Sequence, residues 1–300
     1  MENFVKLAND VMMPTIGFGS GAIYDWKPKN TLPYYISNMT SKEKRSINKS
    51  IWQLNKGVNN IMKYKPVMFD TSRAYGGAEV VLGNVLKKYK REDYFLVTKL
   101  SNVGQFNGDI RGAFVSSLRQ LQMDYVDLYL FHWPVTDIYI ESYKQMEKLY
   151  EEGLCRAIGV CNCNIHHLER LKKEVNIMPM VNQFECHPLF TQNELRAYCK
   201  ENDIQVLAYT ATAKNDYRLP NTIISEYAKK YNKTVPQIVL RWHLQVGNVP
   251  LVHTFNPKHI DENINIYDFE LTDEEVNRIT ALNINSRLRF DPDNCDFTRL

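Results

Sequence analysis

No stretch of this 300-residue chain approaches the ~18 consecutive apolar residues that a bilayer span requires, so no helical membrane anchor is expected. An excess of charge of one sign is missing too. The 37 basic and 34 acidic residues leave a net +3, and no basic block interleaves with aromatics, which argues against a nucleic-acid partner. The opening MENFVKLAND lacks a charged start followed by an apolar core, so no secretory signal is expected. Six cysteines are present without the paired spacing of a zinc site. Cys161 and Cys163 flank a single asparagine and Cys295 stands alone near the end, so reduced thiols in a cytoplasmic protein, with no metal, are the expectation. Finally, GFGSGAIYDW has glycines but no GxGxxG opening a helix, which removes the main sign of an open doubly wound nucleotide-binding sheet.

What is present is an alternation. Short β-rich runs at 15–18, 67–69, 94–98, 126–131, 156–160, 180–184, 205–208 and 249–252 are separated by amphipathic stretches such as AEVVLGNVLKKYK and ESYKQMEKLYEEG. Eight strand–helix units in about 250 residues predict an α/β fold of the closed (β/α)8 TIM-barrel type. FVKLANDVMMPTIGFG, with Asn9-Asp10 at its middle, reads as an N-terminal hairpin. Residues 21–40 form a long aromatic- and proline-bearing loop after the first barrel strand, and 284–300 form an irregular tail able to fold over the same face. One barrel domain is expected over 1–300.

In a parallel barrel all strands end at one rim, so strand-end residues converge. The second barrel strand ends in VMFD and delivers Asp70, with Tyr75 in the loop beyond it. The third ends in FLVTKL and delivers Lys99; the fourth ends in LYLFHWP and delivers His132 and Trp133. Taken alone, Asp70 and Lys99 read as a barrel-end salt bridge. An acid, a phenol, an amine and an imidazole on three successive strand ends read as chemistry. A phenol with pKa near 10 is a poor acid at neutral pH, and an ammonium about 4 Å away favours its phenolate by up to roughly 4 kcal/mol. Asp70 would keep the amine charged, and His132 would orient a carbonyl oxygen or share its proton. The set suits protonation of an oxygen as hydride reaches its carbon.

These residues sit in text that resembles the aldo-keto reductases over nearly the whole chain apart from 21–40: FDTSRAYGGAEVVLGNVLKK, LVTKL, SSLRQLQMDYVDLYLFHWP, VNQFECHPLFTQNELRAYCKE and VPQIVLRWHLQ. The resemblance implies that Asp70, Tyr75, Lys99 and His132 are the catalytic residues, with Tyr75 as general acid and a nicotinamide cofactor as hydride source. The tail DPDNCDF is similar to that of the short-tailed bacterial branch, which reduces small dicarbonyls and keto sugars. It also implies a monomer whose partner is a small carbonyl compound.

The implied cofactor residues are Gly19 and Ser20 at the first strand end, Asp70, Asn162, Gln183, and Tyr209, whose ring would stack on the nicotinamide. Cys161 replaces a serine of the family. TATAK after Tyr209, starting at Thr210, replaces the family's Ser-Pro-Leu. In the last unit, the lysine and arginine that grip the adenosine 2′-phosphate fall on His253 and His259, with Thr254 for serine and Glu262-Asn263 retained. Histidine lacks arginine's fork and most of its charge at neutral pH, which weakens NADPH preference by ~1–3 kcal/mol. NADP(H) remains slightly favoured over NAD(H), with Thr254 and both histidines as donors. Tyr24 and Trp26 in the inserted loop, with Trp133, are the expected substrate-pocket aromatics. The altered segments leave one alternative, a barrel that binds cofactor as a sensor or partner-binding protein with little catalysis.

Overall fold

The computed structural model describes residues 3–21, 41–216 and 218–298. Two short antiparallel strands, β1 (Phe4–Lys6) and β2 (Met12–Pro14), form the hairpin. Its turn places Asp10 at positive φ, a conformation that aspartate tolerates. Asn9 at the tip donates to the carbonyl of Arg156 at 2.8 Å, and this fixes the hairpin across the end of the barrel where the strands begin.

Eight parallel strands close the barrel in the order β10-β3-β4-β5-β6-β7-β8-β9. They are β3 (Gly17–Gly19), β4 (Val67–Asp70), β5 (Tyr94–Leu100), β6 (Val126–Phe131), β7 (Cys155–Cys161), β8 (Val181–Glu185), β9 (Gln205–Tyr209) and β10 (Asn248–Val252). Every residue of YFLVTKL and VDLYLF is buried, as expected of strands covered on both faces. The buried acid Asp127 is matched: its carboxylate accepts from the Leu96 amide, Arg91 and Arg156.

The outer helices start where the sequence places caps. Thr234 and Gln237 form a capping box at Val235–Gln245, and Thr272 and Glu275 form another at Asp273–Thr280. Two helices approach so closely that a Cβ at Gly83 would lie 2.3 Å from the Leu121 carbonyl oxygen. A side chain there would force Ala78–Leu86 away from Ile110–Leu121 and open the outer layer.

The tail returns over the rim where the strands end. The amides of Leu288 and Arg289 donate to the two carboxylate oxygens of Glu185, at 2.7 and 2.9 Å. Asn164 donates to Asp293 at 2.7 Å, and Asn102 to the Phe297 carbonyl at 3.1 Å. The tail thus crosses from β8 past the end of β7 to the end of β5. The expected substrate aromatics Tyr24 and Trp26 lie outside the described residues. No helix among the described residues is long and apolar enough to cross a membrane.

Candidate active site

Lys99 is the centre of the rim. Its side chain is fully buried, and its ammonium donates to both oxygens of Asp70 (2.7 and 2.6 Å) and to the Thr71 carbonyl (2.9 Å). All three protons therefore have acceptors. Burial is the largest single influence and opposes the charge, but the Asp70 carboxylate, with smaller help from Tyr75 and Cys161, holds the lysine pKa above its ordinary value. Gln183, buried in β8, donates to Asp70 at 2.9 Å and fixes the carboxylate from the other side. Ser20 caps the cluster through its backbone amide to the Asp70 carbonyl (2.8 Å) and its hydroxyl to Thr71 (3.0 Å). Gly19 pairs with Asp70 across β3 and β4.

Tyr75 stands over this buried charge. The Lys99 nitrogen is 5.3 Å from the centre of its ring, and the ring meets that of His132 edge-on at 5.6 Å. Burial, with help from the Lys99 charge, pushes the His132 pKa down to about 3, so the imidazole is neutral at physiological pH. Its Nδ1 is buried without a hydrogen-bond partner among the described residues. A neutral ring beside a phenol suits orientation of a substrate oxygen better than delivery of a proton. Trp133 follows, buried, its ring 6.3 Å from His132 and its carbonyl held by Gln105.

On the far side of the rim, Asn162 adopts a left-handed φ of 59° at the end of β7. Its side chain donates to the His132 carbonyl at 3.0 Å and accepts from the Tyr209 hydroxyl at 2.7 Å. The carboxamide expected to meet nicotinamide is thus held in place by the protein, and these two bonds use one of its two N–H donors and one of its two oxygen lone pairs. Cys161 is buried beside the Lys99–Asp70 pair, and burial raises its pKa, so it is a neutral thiol. Thr210, Ala213 and Lys214 all take positive φ in the loop after β9, a tight backbone path unlike an ordinary helix entry.

A separate cleft of about 460 Å³ opens between the loop after β9 and the end of β10. His253, Thr254, His259, Glu262 and Asn263, assembled by position from the sequence, all line it. So does Lys258. Acceptors, donors and a cation around one cleft fit a phosphorylated adenosine, and the Asn162 carboxamide at the rim suits a polar ring. The residues present therefore suit a nicotinamide dinucleotide.

Residues 42–284 match the model described as the Aldo/keto reductase family. The chain belongs to that family. It is 38% identical over 294 residues to the glyoxal reductase of Bacillus subtilis (strain 168), covering 98% of this chain and 97% of that protein. It is 42% identical over 229 residues to the methylglyoxal reductase DkgA of Escherichia coli (strain K12), covering 75% and 82%. An aldo-keto reductase from a Medee basin deep-sea metagenome superposes with a TM-score of 0.82 at 34% identity, covering 97% of this chain and 99% of that one. The Bombyx mori aldo-keto reductase solved in complex with NADP gives 0.82 at 28%, covering 97% and 95%. As a member of the family the protein is an NAD(P)H-dependent oxidoreductase acting on carbonyl compounds.

Three residues at this rim and cleft are not evident from sequence motifs. Thr71 acts through a backbone carbonyl, which carries no residue signature. Glu185 has its side chain among the buried strand ends, and only the folded tail shows why a carboxylate stands there. Lys258 adjoins His259, and its charge was the available signal.

Proposed function

We propose that the protein reduces a small aldehyde or ketone with Tyr75 as the proton donor, and that NADPH is the preferred reductant. The observation that carries this reading is the buried Lys99 ammonium, triply hydrogen-bonded and 5.3 Å from the Tyr75 ring. When bound, the cofactor supplies the hydride. Tyr75 gives its phenolic proton to the carbonyl oxygen, and the fixed charge of Lys99 stabilises the phenolate that is left. Asp70, the Thr71 carbonyl and Gln183 keep that charge from moving. His132, neutral, orients the oxygen.

Small dicarbonyls are the favoured substrate class, supported by the names of the Bacillus and Escherichia relatives. The roles of Asn162, Gln183, Tyr209, Thr210, Gly19, Ser20 and Cys161 around the nicotinamide, and of Trp133 in the pocket wall, belong to the same proposal. So do one barrel domain over 1–300, a monomer and a cytoplasmic location. The test is NADPH oxidation by the purified protein with glyoxal, methylglyoxal and a keto sugar. Turnover of at least one supports the reading; NADPH binding without turnover of any contradicts it.

A further inference from the structure

We propose that Lys258, and not either histidine standing where the family has lysine and arginine, is the cation that selects the 2′-phosphate of NADPH in this protein. The inference rests on the nucleotide site proposed above and names its specificity residue. Among the described residues lining the 460 Å³ cleft, Lys258 is the one carrying a permanent positive charge. The two carboxylates among those described residues are unequal. Asp216 is already gripped by Arg218, whose Nε and terminal nitrogen reach its two oxygens at 2.9 and 2.7 Å. Glu262 faces Lys258, with Nζ 3.8 Å from Oε1, beyond hydrogen-bond distance. The Lys258 side chain is 79% exposed, so leaving Glu262 for a phosphate orphans no buried group.

Its position argues the same way. Lys258 lies in the first turn of Pro257–Ile264, capped by Asn256, where the helix end repels cations and attracts anions. A lysine there opposes the helix dipole unless an anion comes between them. The histidines are poorer candidates. The His253 ring lies against the rim, close enough that a Cβ on Gly21 would fall 2.4 Å from its Nε2, and it packs edge-on against Phe255 at 5.0 Å. Partial burial also lowers the His253 pKa, which leaves it neutral at physiological pH. His259 offers an imidazole N–H without a permanent charge.

The experiment is fluorescence titration of the full-length protein with NADPH and with NADH, on the wild type and on Lys258→Gln, Lys258→Arg and His259→Gln. Lys258→Gln should weaken NADPH about tenfold or more while changing NADH by less than about twofold. Lys258→Arg should retain the selectivity, and His259→Gln should lose less than about threefold for NADPH. An unchanged NADPH-to-NADH ratio in Lys258→Gln, or a selectivity loss confined to His259→Gln, overturns the assignment while leaving the reductase reading intact. Failure of the wild type to bind either nucleotide overturns both.

Discussion

Lys99 directs all three of its protons at fixed acceptors, so the charge facing Tyr75 is held in one place. That arrangement makes the residue structural as well as chemical. Lys99→Met should leave the Asp70 carboxylate buried with Gln183 as its remaining donor within the cluster, costing about 3–5 kcal/mol. It should also lower kcat at least about tenfold by removing the phenolate's partner. Urea unfolding and steady-state kinetics on one preparation check both; an unchanged unfolding midpoint contradicts the buried-pair account. At this scale the sequence exposes side chains but not backbone partners. Asp70, Tyr75, Lys99 and His132 are legible because strand ends in a parallel barrel converge. The Thr71 carbonyl is not, because any residue supplies one.

Elements were legible where burial is two-sided. All eight barrel strands fall within two residues of the apolar runs, since a strand covered by helices outside and side chains inside must be nearly continuously hydrophobic. The tail was legible only as an irregular segment. Its course depends on Glu185, a carboxylate at the end of β8 whose oxygens accept the Leu288 and Arg289 amides while Oε1 also meets His187 at 3.0 Å. Glu185→Gln replaces one of those acceptors with a donor, setting an N–H against an N–H. The amides of 288 and 289 should then exchange with deuterium at least about tenfold faster, and the KM for the carbonyl substrate should rise with little change in NADPH affinity. Unchanged exchange at those two amides would remove Glu185 as the tail's anchor.

Across the whole molecule, buried neutral histidines link stability to pH. His243 is fully buried, its Nε2 donating to the Ala211 carbonyl at 3.0 Å and its Nδ1 accepting from Asn248 at 3.2 Å. Burial pushes its pKa down to about 3, as it does for His132, and His167 is pushed down to about 4. Below the unfolded pKa near 6.5 the unfolded chain therefore binds more protons than the native one. Stability present above that pH is lost as pH falls from about 6.5 towards 3–4, by up to about 1.4 kcal/mol per pH unit for each such histidine. The urea midpoint should be lower at pH 5 than at pH 7, and His243→Gln should reduce the difference, with His132 and His167 supplying what remains. Equal midpoints at the two pH values would contradict neutral burial.

The whole assembly stands or falls on the proton that Tyr75 is held to give. The decisive measurement is kcat and NADPH affinity of Tyr75→Phe against the wild type, with methylglyoxal as substrate. Loss of the hydroxyl should lower kcat by at least about a hundredfold while the NADPH dissociation constant stays within about twofold. A kcat unchanged in the phenylalanine variant would mean that the proton comes from elsewhere, and the buried Lys99–Asp70 pair would then be a structural clamp.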